Sequence, residues 1–291
     1  MENNVSIIIP AYNEENGIID VINEIETLLV EKKINNEIII VDDGSTDKTK
    51  EKVSSTNARL IEHQQNRGYG AALKTGIKAS IYDQIAIIDA DGTYPVNYLV
   101  ELINSKKSYD MVVGARIGKN VSIPLIRRPA KWALNKLANF LTNYKIPDLN
   151  SGLRLFKKNS LLKFLHILPD GFSFTTTITI AMITNNFNVK YIPIDYEKRI
   201  GKSKIRPIYD TLNFISLITR MVIYFKPLRV LMPIGLTLLT IDLVKIIYDI
   251  QNYDWHIATS TILLGIIAFN TIILALVADM ITTIRNAALK D

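Results

Sequence analysis

The chain has no cysteine among its 291 residues, which excludes disulfides, thiolate metal sites and a cysteine nucleophile. Histidine is almost as scarce: His63, His166 and His256 are scattered, so a zinc centre is not expected. G-x-G-x-x-G does not occur, and the one G-K-S, at 201–203, has Tyr196 where a P-loop needs its first glycine, which removes the dinucleotide fingerprint and the P-loop. There is no block of lysine and arginine interleaved with aromatics. Despite a net charge of +6, a nucleic-acid partner is therefore not expected, and the basicity fits an anionic membrane surface or a phosphorylated substrate better. At the N-terminus, MENNVSIIIP lacks a basic region followed by a long apolar core and passes at once into a strand pattern, so no secretory signal is expected.

What is present divides at about residue 206. Before it, VSIIIP (5–10), EIIIVDD (37–43), RLIEH (59–63), IAIIDAD (85–91) and DMVVGAR (110–116) read as strands. Helical patterns lie between them at 17–32, 47–55 and 69–80. Alternating strands and helices with near-continuous apolar strands predict an α/β domain, its mostly parallel sheet covered on both faces. Ligands in such sheets bind at the carboxyl ends of strands. Three of these ends carry PAYNEE, DDGSTD and DADG, a concentration of polar chemistry that a structural turn does not need.

After residue 206 the chain changes solvent. Residues 227–247 and 257–281 are each long enough to cross a bilayer, and no charge occurs from Ile257 to Ala278. Asp242 and Lys245 stand three apart in the first span and are expected to form a local ion pair, with a substrate-path role as the alternative. The connector QNYDWH (251–256) lacks Lys and Arg but offers Tyr253 and Trp255 to an interfacial belt. Lys226 and Arg229 precede the hairpin and Arg285 and Lys290 follow it, so the positive-inside rule puts both ends, and the α/β domain, in the cytoplasm. Residues 207–226 are apolar on much of their circumference but too polar to span, and read as helices in the headgroup layer; packing against the domain is the alternative. The expected division is thus 1–206 catalytic domain, 207–226 interface helices and 227–291 transmembrane hairpin, with spans at about 228–248 and 257–280.

The chemistry centres on IAIIDADGTYP (85–95). Asp89 and Asp91 repel unless a cation lies between them, and Mg²⁺ or Mn²⁺ takes one or two carboxylates together with phosphate oxygens. NRGYGAALKTG (66–76) admits two readings, a helix N-terminus holding phosphate or a tight strand-to-helix connection.

PAYNEE, VDDGSTD, NRGYGAALKTG, DADGTYP, GAR and DLNSGLR occur in the order seen in family 2 glycosyltransferases of the GT-A fold, whose catalytic domain is Rossmann-like. The closer resemblance, over residues 5 to 206 and on through the hairpin, is to polyprenyl-phosphate glycosyltransferases such as dolichyl-phosphate mannose and glucose synthases. That resemblance implies an inverting, metal-dependent transfer of a hexose from a UDP- or GDP-sugar to dolichyl or undecaprenyl phosphate. It also implies a homo-oligomer formed through the membrane segment.

By the same resemblance Pro10, Tyr12, Glu14, Val41 and Asp43 would hold the nucleoside. Asp89 and Asp91, with the Ala90 backbone, would hold the metal and diphosphate, Asp91 being catalytic. Arg116, Arg127 and Arg128 would take the acceptor phosphate. In KRIGKSKIR (198–206), the catalytic Arg199 would meet the donor diphosphate or the acceptor phosphate, Arg206 the donor diphosphate and Lys204 the acceptor phosphate. Asp148 of DLNSGLR matches an aspartate often cast as a base; orienting the nucleophile, binding a basic partner and structuring the loop are its other readings. A phosphate acceptor is already largely anionic at neutral pH and needs no strong base. Thr93 departs from the mannose-type pattern, which has a glutamine there as an added metal ligand. GFSFTTTITIAM (171–182) reads as a helix and loop lining the acceptor end. The rival readings are a family 2 transferase with another lipid or polysaccharide acceptor, and a non-catalytic nucleotide-sugar-binding scaffold.

Overall fold

The computed structural model of the protein describes residues 4–105, 108–121, 132, 135–136, 138–140, 142–171, 173–197, 216, 219–220, 222–252 and 256–288. The N-terminal part runs β1 (Val5–Ala11), α1 (Ile18–Glu31), β2 (Asn36–Asp42), α2 (Thr49–Ser54), β3 (Arg59–Glu62), α3 (Tyr69–Ala79), β4 (Gln84–Ile87), α4 (Asn97–Asn104) and β5 (Met111–Val121). It continues with β6 (Arg154–Lys157), α5 (Lys158–Leu162), α6 (Phe174–Thr184) and β7 (Val189–Tyr196). The seven strands form one sheet in the order β3-β2-β1-β4-β6-β5-β7. Only β6 runs antiparallel, to both β4 and β5, so the sheet is mostly parallel as expected. The strand expected over 85–91 is shorter, ending at Ile87, which leaves Asp89 and Asp91 in the turn beyond it.

Strand alternation divides the core. Ile7 and Ile9 of β1 face α1 and α4, and Ile8 between them faces α3 and α6. Helix α1 buries Ile18, Val21, Ile22, Ile25 and Leu29, the spacing of one helical face. Helix α6 is buried at every position, so its threonine hydroxyls need partners inside the protein; Thr176 and Thr179 find them in the 148–154 loop, while Thr177 Oγ1 is buried without one.

Two further helices, α7 (Leu228–Asn252) and α8 (Thr259–Ala288), pair as an antiparallel hairpin, each long and apolar enough to cross a membrane. Small residues let them approach: a Cβ on Gly235 would meet Ile272, and Ala268 and Ala275 are fully buried. The expected ion pair between Asp242 and Lys245 does not form. Lys245 Nζ donates instead to Ser260 Oγ at 2.6 Å and Thr261 Oγ1 at 2.9 Å across the hairpin. Asp242 packs against Gly265, its Oδ1 buried without a hydrogen-bond partner. The hydroxyls of α8 compete for the lysine because they lie where an extended chain reaches them. Of the 207–226 segment, Val222 and Phe225 enter the catalytic-domain core while Ile223 and Tyr224 are exposed, so its end both packs and presents. Tyr253 and Trp255 lie outside the described residues.

Candidate active site

The β1 and β2 ends are laced together. Asn13, held at a φ of 55°, accepts from Thr46 N–H at 2.8 Å, while its own N–H donates to Ser45 Oγ at 2.9 Å. Glu14 N–H donates to Thr49 Oγ1 at 2.9 Å, and the Glu14 carbonyl accepts from Gly17 and Ile18 to start α1. Pro10 is buried at the end of β1, opposite Val41, and Tyr12 is half-buried just beyond it. The Val41 side chain belongs to the core with Ile39 and Ala72, so any role in holding a ligand is a main-chain role.

Asp43 is buried and bonded within the chain. Its Oδ1 lies 2.7 Å from His63 Nδ1 and accepts from Arg67 N–H at 2.9 Å, and Oδ2 accepts from Gly68 N–H at 2.8 Å. His63 Nε2 continues to Thr75 Oγ1 at 2.9 Å. Asp43 thus ties the β2 end to the glycine-rich segment. That segment is a tight connection: a Cβ on Gly68 or Gly70 would collide with the Pro169–Asp170 backbone, and Ala71 N–H already donates to Asp170 O at 3.0 Å.

Asp89 and Asp91 stand beyond β4, each with one oxygen held by a hydroxyl. Tyr69 donates to Asp89 Oδ1 at 2.9 Å. Burial, then the Asp89 charge, pushes the Tyr69 phenol well above its ordinary pKa, so it remains a proton donor. Thr93, fully buried, donates to Asp91 Oδ1 from its hydroxyl at 2.6 Å and from its N–H at 3.2 Å. The departure at 93 therefore gives Asp91 a clamp in place of an added ligand. Among the described residues no set of three His, Cys, Asp or Glu could enclose a cation. Two tethered carboxylates suit a hard divalent ion that draws its remaining oxygens from a substrate diphosphate.

The 148–154 loop lies against these aspartates. Gly152 abuts the Asp89 carboxylate with no room for a Cβ, and its N–H donates to Tyr94 Oη at 2.6 Å. Arg116 and Asp148 are paired with each other: Nε reaches Oδ2 at 2.7 Å, Nη2 reaches Oδ1 at 2.9 Å, and Arg116 N–H adds a third bond at 3.1 Å. Asp148 is 0% exposed. Burial lowers the Arg116 pKa, but the Asp148 carboxylate and the Tyr94 and Tyr196 oxygens outweigh it and hold the guanidinium charged well above its usual range. Arg116 also lies over the Tyr196 ring, 5.1 Å from its centroid. Asp148 Oδ1 also accepts from Asn150 N–H at 3.3 Å, so the structure displays both the basic partner and a bond within the loop.

Arg154, fully buried, clamps the loop from below. It donates to Ser151 O at 2.7 Å, Leu149 O at 2.8 Å and Thr179 Oγ1 at 2.7 Å. Thr176 of α6 bonds Asn150, and Ser151 Oγ donates to Gly114 O at 2.5 Å. Helix α6 thus supports this loop. The structure brings together Asp89, Ala90, Asp91, Arg116 and Asp148. Arg127, Arg128, Arg199, Lys204 and Arg206 lie outside the described residues. Sequence reasoning missed Tyr69, Tyr94, Gly152, Arg154 and His63 as supports, although four of them stand inside motifs it had singled out.

The model of glycosyl transferase family 2 matches residues 6–165, and that of the GtrB C-terminal hairpin matches residues 226–284. The chain is 32% identical over 207 residues to the dolichyl-phosphate hexose transferase of Haloferax volcanii, covering 70% of this chain and 87% of that protein. It is 30% identical over 246 residues to the undecaprenyl-phosphate 4-deoxy-4-formamido-L-arabinose transferase of Pectobacterium carotovorum, covering 80% of this chain and 71% of that protein. Among solved structures, glucosyl-3-phosphoglycerate synthase of Mycobacterium tuberculosis, bound to Mn²⁺, UDP-glucose and phosphoglyceric acid, superposes with a TM-score of 0.60. It is 21% identical, with 75% of this chain and 79% of that one covered, a likeness of fold.

Proposed function

The chain belongs to glycosyl transferase family 2, and from that premise we propose that it transfers a hexose from a nucleoside diphosphate sugar to a polyprenyl phosphate at the cytoplasmic membrane face. The observation that carries this reading is the contact between Asp89 and the 148–154 loop. A donor-diphosphate carboxylate and a guanidinium suited to an acceptor phosphate belong to one continuous cluster, in a chain that ends in a membrane hairpin. The activities named for the Haloferax and Pectobacterium relatives support the same acceptor class.

In the proposed reaction the β1 and β2 ends hold the nucleoside, and Asp89 and Asp91 face the diphosphate. Arg116, fixed by the Asp148 fork, makes no hydrogen bond through Nη1 among the described residues and presents it to the acceptor phosphate. A phosphate oxygen attacks the anomeric carbon as the bond to the diphosphate oxygen breaks with its electron pair, inverting the centre. The acceptor is already anionic, so Asp148 orients Arg116 and need not remove a proton. A bound Mg²⁺ or Mn²⁺ would neutralise charge on the departing diphosphate. Arg199 and Arg206 are assigned to that diphosphate too, and Arg127, Arg128 and Lys204 to the acceptor phosphate. Residues 1–206 form the catalytic domain in this scheme, 207–226 the interface segment and 227–291 the anchor, through which copies associate.

Purified full-length protein, supplied with Mg²⁺ or Mn²⁺, polyprenyl phosphate and labelled UDP- or GDP-hexoses, tests this directly. Label is expected in the organic-extractable lipid with at least one donor. Label that stays in the aqueous phase with every donor overturns the proposal.

A further inference from the structure

Of the three histidines His63 alone is buried, and the proposed reaction gives it no part. It is anchored through main chain and side chain alike. Its N–H donates to Asp42 O at 2.9 Å, which sets it beside the end of β2. Its ring lies between Asp43 Oδ1 at 2.7 Å and Thr75 Oγ1 at 2.9 Å. A carboxylate only accepts, so the proton at the first contact sits on Nδ1, and neutral His63 then accepts the Thr75 hydroxyl at Nε2. Thr75 is a fixed partner. A Cβ on its neighbour Gly76 would meet Ile8 and Val41, so α3 lies against the sheet there without clearance.

These bonds fix how much of Asp43 is left for a ligand. An ionised carboxylate has about four acceptor positions, shared equally between its oxygens. His63 and the Arg67 N–H take both on Oδ1, and the Gly68 N–H takes one on Oδ2. A single position remains, on Oδ2. Burial points the same way: the Asp43 side chain is 4% exposed, which admits an edge-on contact and not a fork across both oxygens. Nucleobases differ in what they offer such a group. Guanine presents a ring N–H and an amino group side by side, a pair that spans both oxygens of a carboxylate. Uracil and thymine present one imide N–H between two carbonyls, a single donor for a single acceptor.

We propose that His63 determines the specificity of the donor site: by occupying Asp43 Oδ1 it makes the site select an imide base, uracil or thymine, over guanine. The inference rests on the reading that the β1 and β2 ends hold the donor nucleoside, and narrows it. Guanine at Asp43 buries its amino group against an oxygen that is already saturated, and that unpaired donor sets the discrimination. His63 touches no substrate in this scheme. It acts through Asp43 alone, as a positioning residue.

Calorimetric titration of the purified full-length protein with UDP, dTDP and GDP, each with Mn²⁺ present, reads the selection directly. The better of UDP and dTDP is expected to bind about tenfold or more tighter than GDP. GDP binding as tightly as the better of the two overturns the selection alone; no binding of any of the three overturns the nucleoside reading beneath it. A merely structural role for His63 would weaken every nucleotide alike, so the informative quantity in variants is the ratio of affinities. His63→Leu frees Oδ1 for a second donor and is expected to cut the imide-to-guanine ratio about tenfold. Thr75→Val, which releases only the far ring nitrogen, is expected to move the ratio in the same direction by less. A ratio unmoved in Thr75→Val and in folded His63→Leu overturns the proposal.

Discussion

Gly152 lies so close to Asp89 that a side chain on the one would overlap both carboxylate oxygens of the other. The Asp89 carboxylate and the 148–154 loop are therefore not independent. A Gly152→Ala enzyme must either lift the loop off the Tyr94 hydroxyl or swing Asp89 away from Tyr69, at about 1–3 kcal/mol for such overpacking. Transfer is expected to fall about tenfold or more, measured as kcat/KM for the sugar nucleotide. Gly171→Ala is the control: open space surrounds that position, and its activity should match the parent. Equal activity in both variants would remove Gly152 from the site's geometry.

The Arg116–Asp148 fork makes a second prediction, since removing one member of a buried pair strands the other. Arg116→Met and Asp148→Leu should each destabilise the domain by about 3–5 kcal/mol, seen as a lowered unfolding midpoint in denaturant. The double variant should recover much of that stability without recovering transfer, because the guanidinium proposed for the acceptor phosphate is gone. A double variant that regains transfer would reduce Arg116 to a structural residue. The raised Arg116 pKa contributes stability that is fully present below the ordinary arginine value and is lost only as pH rises through the folded value. Between about pH 5 and 9 the Arg116 charge should therefore contribute no pH dependence to stability.

Thr93 separates two ways of completing the Asp91 environment. Its hydroxyl is buried on Asp91 Oδ1, so Thr93→Val leaves that oxygen short of one donor, while Thr93→Ser keeps the bond. Metal-dependent nucleotide binding, followed by calorimetry, should weaken about tenfold in the valine variant and by less than about threefold in the serine variant. Asp91→Asn should lower transfer by about a hundredfold or more while the protein unfolds at its normal temperature. If valine and serine behave alike, the clamp has no part in presenting Asp91.

Five of the seven strands were legible, while β6 and β7 were not read; β1, β2 and β4 stand out because they are Ile- and Val-rich runs with polar residues at or just beyond their ends. Asp89 and Asp91 were legible for the same reason: two like charges closing an apolar strand need something between them. Their supports were not. Tyr69 reaches Asp89 from twenty residues away, and Arg154 reaches Thr179 from twenty-five, so neither contact leaves a local periodicity. Strand β6 was hidden by its four-residue length and by a buried arginine at its start, which reads as surface until its acceptors are known. Asp148 and Arg116 were each identified as functional, but their partnership depends on β5 lying beside the loop, a tertiary fact.

The hairpin makes the last prediction. Asp242 is 5% exposed, its Oδ1 has no hydrogen-bond partner, and Lys245 is occupied by Ser260 and Thr261. A carboxylate in that position costs stability both by desolvation and by its missing partner. Asp242→Asn preserves its shape against Gly265 and removes the charge, so it should stabilise the detergent-solubilised protein by about 1–3 kcal/mol, raising its Tm. Lys245→Met, which abandons two hydroxyl acceptors, should lower it. The ion pair expected from the i, i+3 spacing implies the opposite for Asp242, since neutralising a paired carboxylate strands its lysine. The sign of the change at position 242 therefore decides between the two arrangements.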